Sequence, residues 1–173
     1  ITCPLNNHSV SIRVRFDCEG FEMDITKLDF NDKVMLAGLQ RWVICESPSY
    51  DPCAVNRMQD LAAHDLAVMG ASVERITTHH SVGDCIRARF SHSSPDQPGL
   101  LILGHMDTVH PLGTLEHLPV KRDGNLCFGP GICDMKGGNY LALEAIRQLH
   151  RIGAETPLPI TVLFTSDEEI GSP

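Results

Sequence analysis

Residues 100–109 read Leu100-Leu101-Ile102-Leu103-Gly104-His105-Met106-Asp107-Thr108-Val109. A short apolar run that ends in glycine and then in polar groups predicts a strand buried on both faces, with its chemistry at the carboxyl end. In extended chain His105 and Asp107 point to the same side. An imidazole there can bind a metal while the carboxylate two residues on orients it and raises its basicity. Taken alone, an H-x-D pair is also a common surface feature. The pattern recurs at 159–165 (PITVLFT), which runs into Ser166-Asp167-Glu168-Glu169-Ile170-Gly171-Ser172. Three adjacent carboxylates repel one another unless cations or solvent relieve them. A divalent ion offers that relief, one carboxylate binding it while a neighbour takes a proton from water. The plain alternative is an exposed acidic turn.

A third cluster lies between these two: Gly129-Pro130-Gly131-Ile132-Cys133-Asp134-Met135-Lys136-Gly137-Gly138. Glycine lets backbone approach a ligand closely, and Asp134 stands at the mouth of the helix that follows. It reads equally as a helix cap or as a metal ligand. That helix is expected over about 135–152, with Leu141, Ala142, Ala145, Ile146 and Leu149 on its inner stripe. Upstream, a helix is expected over about 32–44, capped by Asn31 or Asp32, with Met35, Leu36, Leu39, Trp42 and Val43 inward. Asp51-Pro52 is a cap followed by proline at the first helical position. The helix it opens runs to about Met69, with Val55, Met58, Ala62, Leu66 and Met69 inward, and stops at Gly70. Strands are expected at 72–78 and 84–90, a polar turn at 92–99, and a hairpin over 118–128 turning at 122–125. Helices alternating with buried strands give an α/β sandwich around a mostly parallel sheet.

Bulk properties narrow the function. The chain has 173 residues, 42% hydrophobic and 21% charged, which suits a globular domain. Its net charge is −8 and it has no long Lys/Arg cluster, which argues against a nucleic-acid partner. No run of about 18 apolar residues is present, so no membrane partner is expected. The seven cysteines form no C-x-x-C pair, which fits free thiols in a reducing, cytoplasmic setting. Cys133 beside Asp134 reads as a buried, inert thiol, and a thiol-dependent enzyme built on it is not expected, since no Cys–His pairing is visible. His79-His80 are neighbours whose side chains would point apart in a strand, so an exposed turn is expected there. His110 and His117 lie near the first cluster without matching a ligand position.

The order His-x-Asp, then Asp in a glycine loop, then Glu-Glu after a strand is more specific than any one part. It resembles the zinc aminoacylase and carboxypeptidase family that includes glutamate carboxypeptidase, acetylornithine deacetylase and succinyl-diaminopimelate desuccinylase. The resemblance runs from about residue 30 to 173 and rests on GHMDTV (104–109), GICDMKGG (131–138) and TSDEEIGS (165–172). The segment CESPSYDPCAVNRM (45–58) looks most like the glutamate carboxypeptidase branch. The resemblance implies a three-layer α/β/α sandwich and two divalent ions, zinc by preference, with cobalt or manganese as alternatives. It implies that His105 binds one ion, Asp107 orients that imidazole, Asp134 bridges both ions, Glu169 binds the other, and Glu168 is the general base. The implied reaction is hydrolysis of an amide in a peptide or N-acyl amino acid, including substrates that end in glutamate. The resemblance also implies that full-length relatives form homodimers.

The same resemblance implies a further carboxylate ligand, a late histidine and a lid or dimerisation domain, none of which can be assigned here. Residues 1–22 are read as a leader outside the fold, and 23–173 as the N-terminal part of the catalytic domain. Two expectations follow. The chain acts as a metal-dependent amide hydrolase, or it is a silent fragment that binds metal weakly. The strand at 159–165 is expected to present a long apolar edge and to make the chain poorly soluble.

Overall fold

The computed structural model describes residues 27–79 and 81–173. The expected leader at 1–22 and the His80 half of the histidine pair lie outside them. The helices are α1 (Asp32–Ile44), α2 (Pro52–Val68) and α3 (Gly137–Arg151), and the strands are β1 (Ser72–Ile76), β2 (Cys85–Arg89), β3 (Leu100–His105), β4 (Lys121–Asp123), β5 (Leu126–Phe128) and β6 (Ile160–Thr165). Both N-terminal caps form as the sequence predicts. The Asn31 side chain accepts from the amides of Lys33 and Val34, and Asp51 accepts from Ala54 ahead of a first-turn proline. These are the amides a helix leaves without partners at its start. Beyond α2, Gly70 takes a φ of 88°, a left-handed conformation that glycine adopts without penalty.

The main sheet has the order β1-β2-β6-β3, and β4-β5 form a separate hairpin. The α/β class is as expected, but the sheet is mixed. Only β3 and β6 run parallel, while β1–β2 and β2–β6 are antiparallel. The expected apolar edge at 159–165 is therefore corrected: β6 is interior, paired on both sides, and β3 takes the edge position.

Alternation in β2 and β6 places Ile86, Ala88, Val162 and Phe164 on one face, where they join Trp42, Met58, Leu66, Tyr140, Leu143 and Ile146 in a single core. All three helices thus pack on the same side of the sheet. Trp42 sits at the centre, its ring edge-on to Tyr140 at 5.2 Å and to Phe164 at 6.2 Å. Its indole N–H donates to Asp65 at 2.8 Å, which ties α1 to α2. On the opposite face Leu101 and Leu103 are 56% and 60% exposed. The prediction that the strand at 100–104 is buried on both faces is corrected accordingly. Among the described residues the second helical layer of a three-layer sandwich is not present.

The inner stripe of α3 is also corrected. Leu141 and Ala145 are exposed, whereas Tyr140, Leu143 and Ile146 join the core and Asn139, Glu144 and Gln148 are buried as well. The buried polar groups are partnered: Gln148 donates to Glu144 at 2.5 Å, and Arg147 pairs with the same carboxylate. Partnered polar groups can sit inside a fold at little cost.

Candidate metal centre

Parallel neighbours end side by side. Because β3 and β6 run parallel with His105 opposite Thr165, the segments leaving their carboxyl ends converge. His105 closes β3. Met106 continues the register by donating its amide to Thr165 at 3.0 Å, and the chain then bends so that Asp107 comes back under the imidazole. The Nδ1 atom of His105 lies 3.0 Å from the Asp107 carbonyl and 3.3 Å from its Oδ1. Both are acceptors, so Nδ1 carries a proton and Nε2 faces outward.

The outward nitrogen meets the other two clusters. It lies 3.1 Å from Asp134 Oδ1 and 3.7 Å from Glu168 Oε2. Donor atoms of His105, Asp134 and Glu169 all fall within 4.8 Å of one another. An imidazole with two carboxylates is a donor set suited to zinc or a similar borderline divalent ion. The sequence thus named five residues that the fold brings together, at the ends of two strands and the start of a helix.

Asp134 is delivered by an irregular turn over Ile132–Lys136, ahead of α3, where Asp134 has extended dihedrals (φ −129°, ψ 100°) and the Asp134–Met135 peptide is cis. Gly131 enters this turn with φ 65°, and a Cβ there would strike the Thr108 side chain. Gly104 serves a similar purpose, since a Cβ would run into the Asn139 amide, which donates to the His105 carbonyl at 2.7 Å. Gly104 and Gly131 thus permit a close approach that a side chain would block.

Asp107 is fully buried and fully occupied. It accepts from Ser49 Oγ at 2.6 Å, and from the amides of Glu168 at 3.3 Å and Glu169 at 3.1 Å. The last two bonds fix the acidic turn to the strand that carries His105. Burial would raise the pKa of Asp107, but bonds from His105, Ser49 and the Glu169 amide hold it below its ordinary value. Burial likewise pulls His105 down, yet its bonds to Asp107 and Asp134 prevail and push it up to about 9. Glu169 is raised, by burial first and then by the charge of Asp134.

Besides Asn139, sequence reasoning missed two residues that brace the site. Ser49 is one. Its segment is stitched to 106–108 through Ser47 Oγ to the Met106 carbonyl, the Thr108 amide to Ser47, and the Ser49 amide to Thr108. The other is Lys136, which is 1% exposed and donates to the carbonyls of Trp42 at 3.1 Å and Cys45 at 2.7 Å. Burial lowers its pKa to about 8, against the opposing pull of Cys45 and Glu46. Neither residue had a signal of its own, because each bond joins segments far apart in sequence. His110 and His117 do not join the group of donors at the site, and the expectation of a buried Cys133 is corrected, because the turn that presents Asp134 leaves that thiol exposed.

Residues 101–173 match the sequence model of Peptidase family M20/M25/M40. The chain is 45% identical over 73 residues to carboxypeptidase G2 of Pseudomonas sp. (strain RS-16), which is 42% of this chain and 18% of that protein. It is 39% identical over 124 residues to succinyl-diaminopimelate desuccinylase of Delftia acidovorans, 64% of this chain and 30% of that protein. The chain therefore spans less than a third of the length of these curated relatives. Among solved structures, human carnosine dipeptidase 1 superposes with a TM-score of 0.71 at 22% identity, covering 81% of this chain and 33% of that one. An M20 family metallo-carboxypeptidase from Sulfolobus solfataricus superposes at 0.68 with 19% identity, covering 83% and 32%. The likeness to these two structures is one of fold.

Proposed function

We propose that this chain carries the His–Asp–Glu portion of a metal-dependent hydrolase of amide bonds, acting on peptides or N-acyl amino acids. The observation that carries the reading is the convergence of His105, Asp134 and Glu169 within 4.8 Å at the carboxyl ends of two parallel strands. In the fuller form of the reading His105, Asp134 and Glu169 would between them hold two zinc ions. A bound divalent ion would supply Lewis-acid polarisation of the scissile carbonyl and would make water acidic enough to lose a proton near neutral pH. The remaining work belongs to side chains. Asp107 holds the His105 ring with Nε2 toward the site. Glu168, half exposed beside that nitrogen, takes the proton of the attacking water and returns it to the leaving nitrogen. The carboxypeptidase and desuccinylase relatives support a peptide or N-acylated amino acid as substrate, and the resemblance of 45–58 to the glutamate carboxypeptidase branch extends the proposal to one that ends in glutamate. A homodimer in the cytoplasm belongs to the same reading. No helix among the described residues is long and apolar enough to cross a membrane.

The test pairs metal content with turnover. Purified protein should retain zinc and hydrolyse a panel of dipeptides and N-acyl amino acids. Glu168→Gln should lose at least about a hundredfold in rate, the scale of a general base, with zinc content unchanged. A chain that retains no zinc sinks this reading. A second reading, a silent chain that holds metal weakly, is favoured by the 72% exposure of the Asp134 side chain. Zinc binding without turnover in any substrate pool would select it.

A further inference from the structure

The Thr165 carbonyl joins three segments. It accepts from the Met106 amide at 3.0 Å, between His105 and Asp107, and from the side-chain amide of Gln59 at 3.0 Å. The same Nε2 of Gln59 also donates to the Phe164 carbonyl at 3.2 Å. Phe164 and Thr165 close β6, and the turn with Glu168 and Glu169 leaves from them. Gln59 belongs to α2 and is fully buried. Its own Oε1 is buried too and has no hydrogen-bond partner among the described residues. A stranded acceptor costs free energy, whereas an apolar side chain of the same length would fill the space without that cost. What a glutamine adds at this point is its pair of N–H donors, and both carbonyls they reach stand at the root of the acidic turn.

The surroundings converge on the same exit. One turn back on α2, Asn56 shares the face of Gln59, and its Oδ1 accepts from the Asp84 amide at 2.7 Å. Ser166 Oγ donates to the Gly83 carbonyl, in the loop that Asn56 holds. A Cβ at Gly83 would strike Val55, so that loop sits directly on α2. Past Ser166 the amides of Glu168 and Glu169 bond to Asp107, and the Ser172 amide closes the turn on the Asp167 carbonyl at 2.9 Å. The turn is therefore held at its tip by Asp107 and at its root by α2. At the root Gln59 bonds the strand itself, and Asn56 the loop beside it. A turn this short carries a shift at its root to its tip, where Glu168 Oε2 stands 3.7 Å from His105 Nε2.

We infer that Gln59 is a positioning residue for this turn: through the last two carbonyls of β6 it sets where Glu168 and Glu169 stand relative to His105. It acts through the strand and touches neither the metal-site donors nor the substrate. The effect on turnover rests on the amide-hydrolase reading. The effect on the geometry of the turn does not.

The experiment makes Gln59→Met in the full chain, with Asn56→Ala beside it. Methionine matches glutamine in length, donates nothing and strands no oxygen. Gln59→Met should melt close to the parent temperature or above it. In metal-free protein it should move the backbone amide shifts of Glu168 and Glu169. With cobalt(II) bound it should change the visible absorption, which reports the arrangement of ligands. Turnover of an N-acyl amino acid should lose about tenfold or more in kcat with KM little changed, the scale of a displaced catalytic group. Asn56→Ala should lower the melting temperature and leave the shifts and the spectrum as they were. A lower melting temperature in Gln59→Met, with those shifts and the spectrum unchanged, makes the residue a packing element and overturns the inference. Equal changes in Asn56→Ala mean that any loosening of α2 reaches the site, and they overturn a specific role for Gln59. If Gln59→Met does not fold, Gln59→Asn, which keeps the amide and shortens its reach, is judged on the same readings. A parent chain that retains neither cobalt nor zinc ends the hydrolase reading, and the amide shifts then decide the placement of the turn by themselves.

Discussion

The imidazole of His105 is the residue on which the site turns. With its raised pKa, its charged form is favoured in the folded chain. The resulting stabilisation is full below the unfolded value near 6.5 and is lost as pH rises through about 9. Asp107 works in the other sense. Its lowered pKa stabilises the fold above 3.8, and that contribution disappears as pH falls through the depressed value. Chelator-treated protein should therefore melt highest between 3.8 and 6.5 and lose melting temperature steadily toward pH 9. Thermal melts across that range check this, and a flat profile above pH 6.5 contradicts it. His105→Gln should flatten the alkaline limb, since a glutamine has no proton to lose.

Legibility at the scale of elements followed how local the causes are. The starts of α1 and α2 were readable because a cap is a bond between residues two or three apart. The face that α3 buries was not. Leucines and alanines occur on two sides of that helix. The sheet chose the side where Tyr140, Leu143 and Ile146 fall, and accepted Glu144 and Gln148 because they bond to each other. The burial of β3 was misread for a related reason. An apolar run shows that a strand suits burial without showing whether anything covers its second face. Among the described residues Leu101 and Leu103 are consequently a surface liability of β3, which stands at the edge of the sheet. Leu101→Lys with Leu103→Lys should raise the concentration at which the chain stays monodisperse while leaving the helix content unchanged. Light scattering and circular dichroism check it, and unchanged aggregation would move the sticky surface elsewhere.

For the whole molecule, the site residues were legible as three clusters because each follows a recognisable break: two strand ends and one glycine-rich turn. Their meeting depends on β3 and β6 being parallel neighbours, a pairing no single segment encodes. Ser49, Asn139 and Lys136 support that meeting through bonds spanning 58, 34 and 94 residues, so no sequence window contains both partners.

The buried ammonium of Lys136 has a consequence for how the two ends of the fold communicate. It ties the turn carrying Asp134 to the carbonyls of Trp42 and Cys45, where α1 ends and its macrodipole is negative. A cation held at Asp134, as proposed, would thus steady, through one side chain, the final turn of a helix that contributes no ligand to it. By linkage, what binds only the closed arrangement suppresses its opening. Zinc should slow deuterium uptake at the last amides of α1 as well as at 131–137, and Lys136→Met should keep the second protection while losing the first.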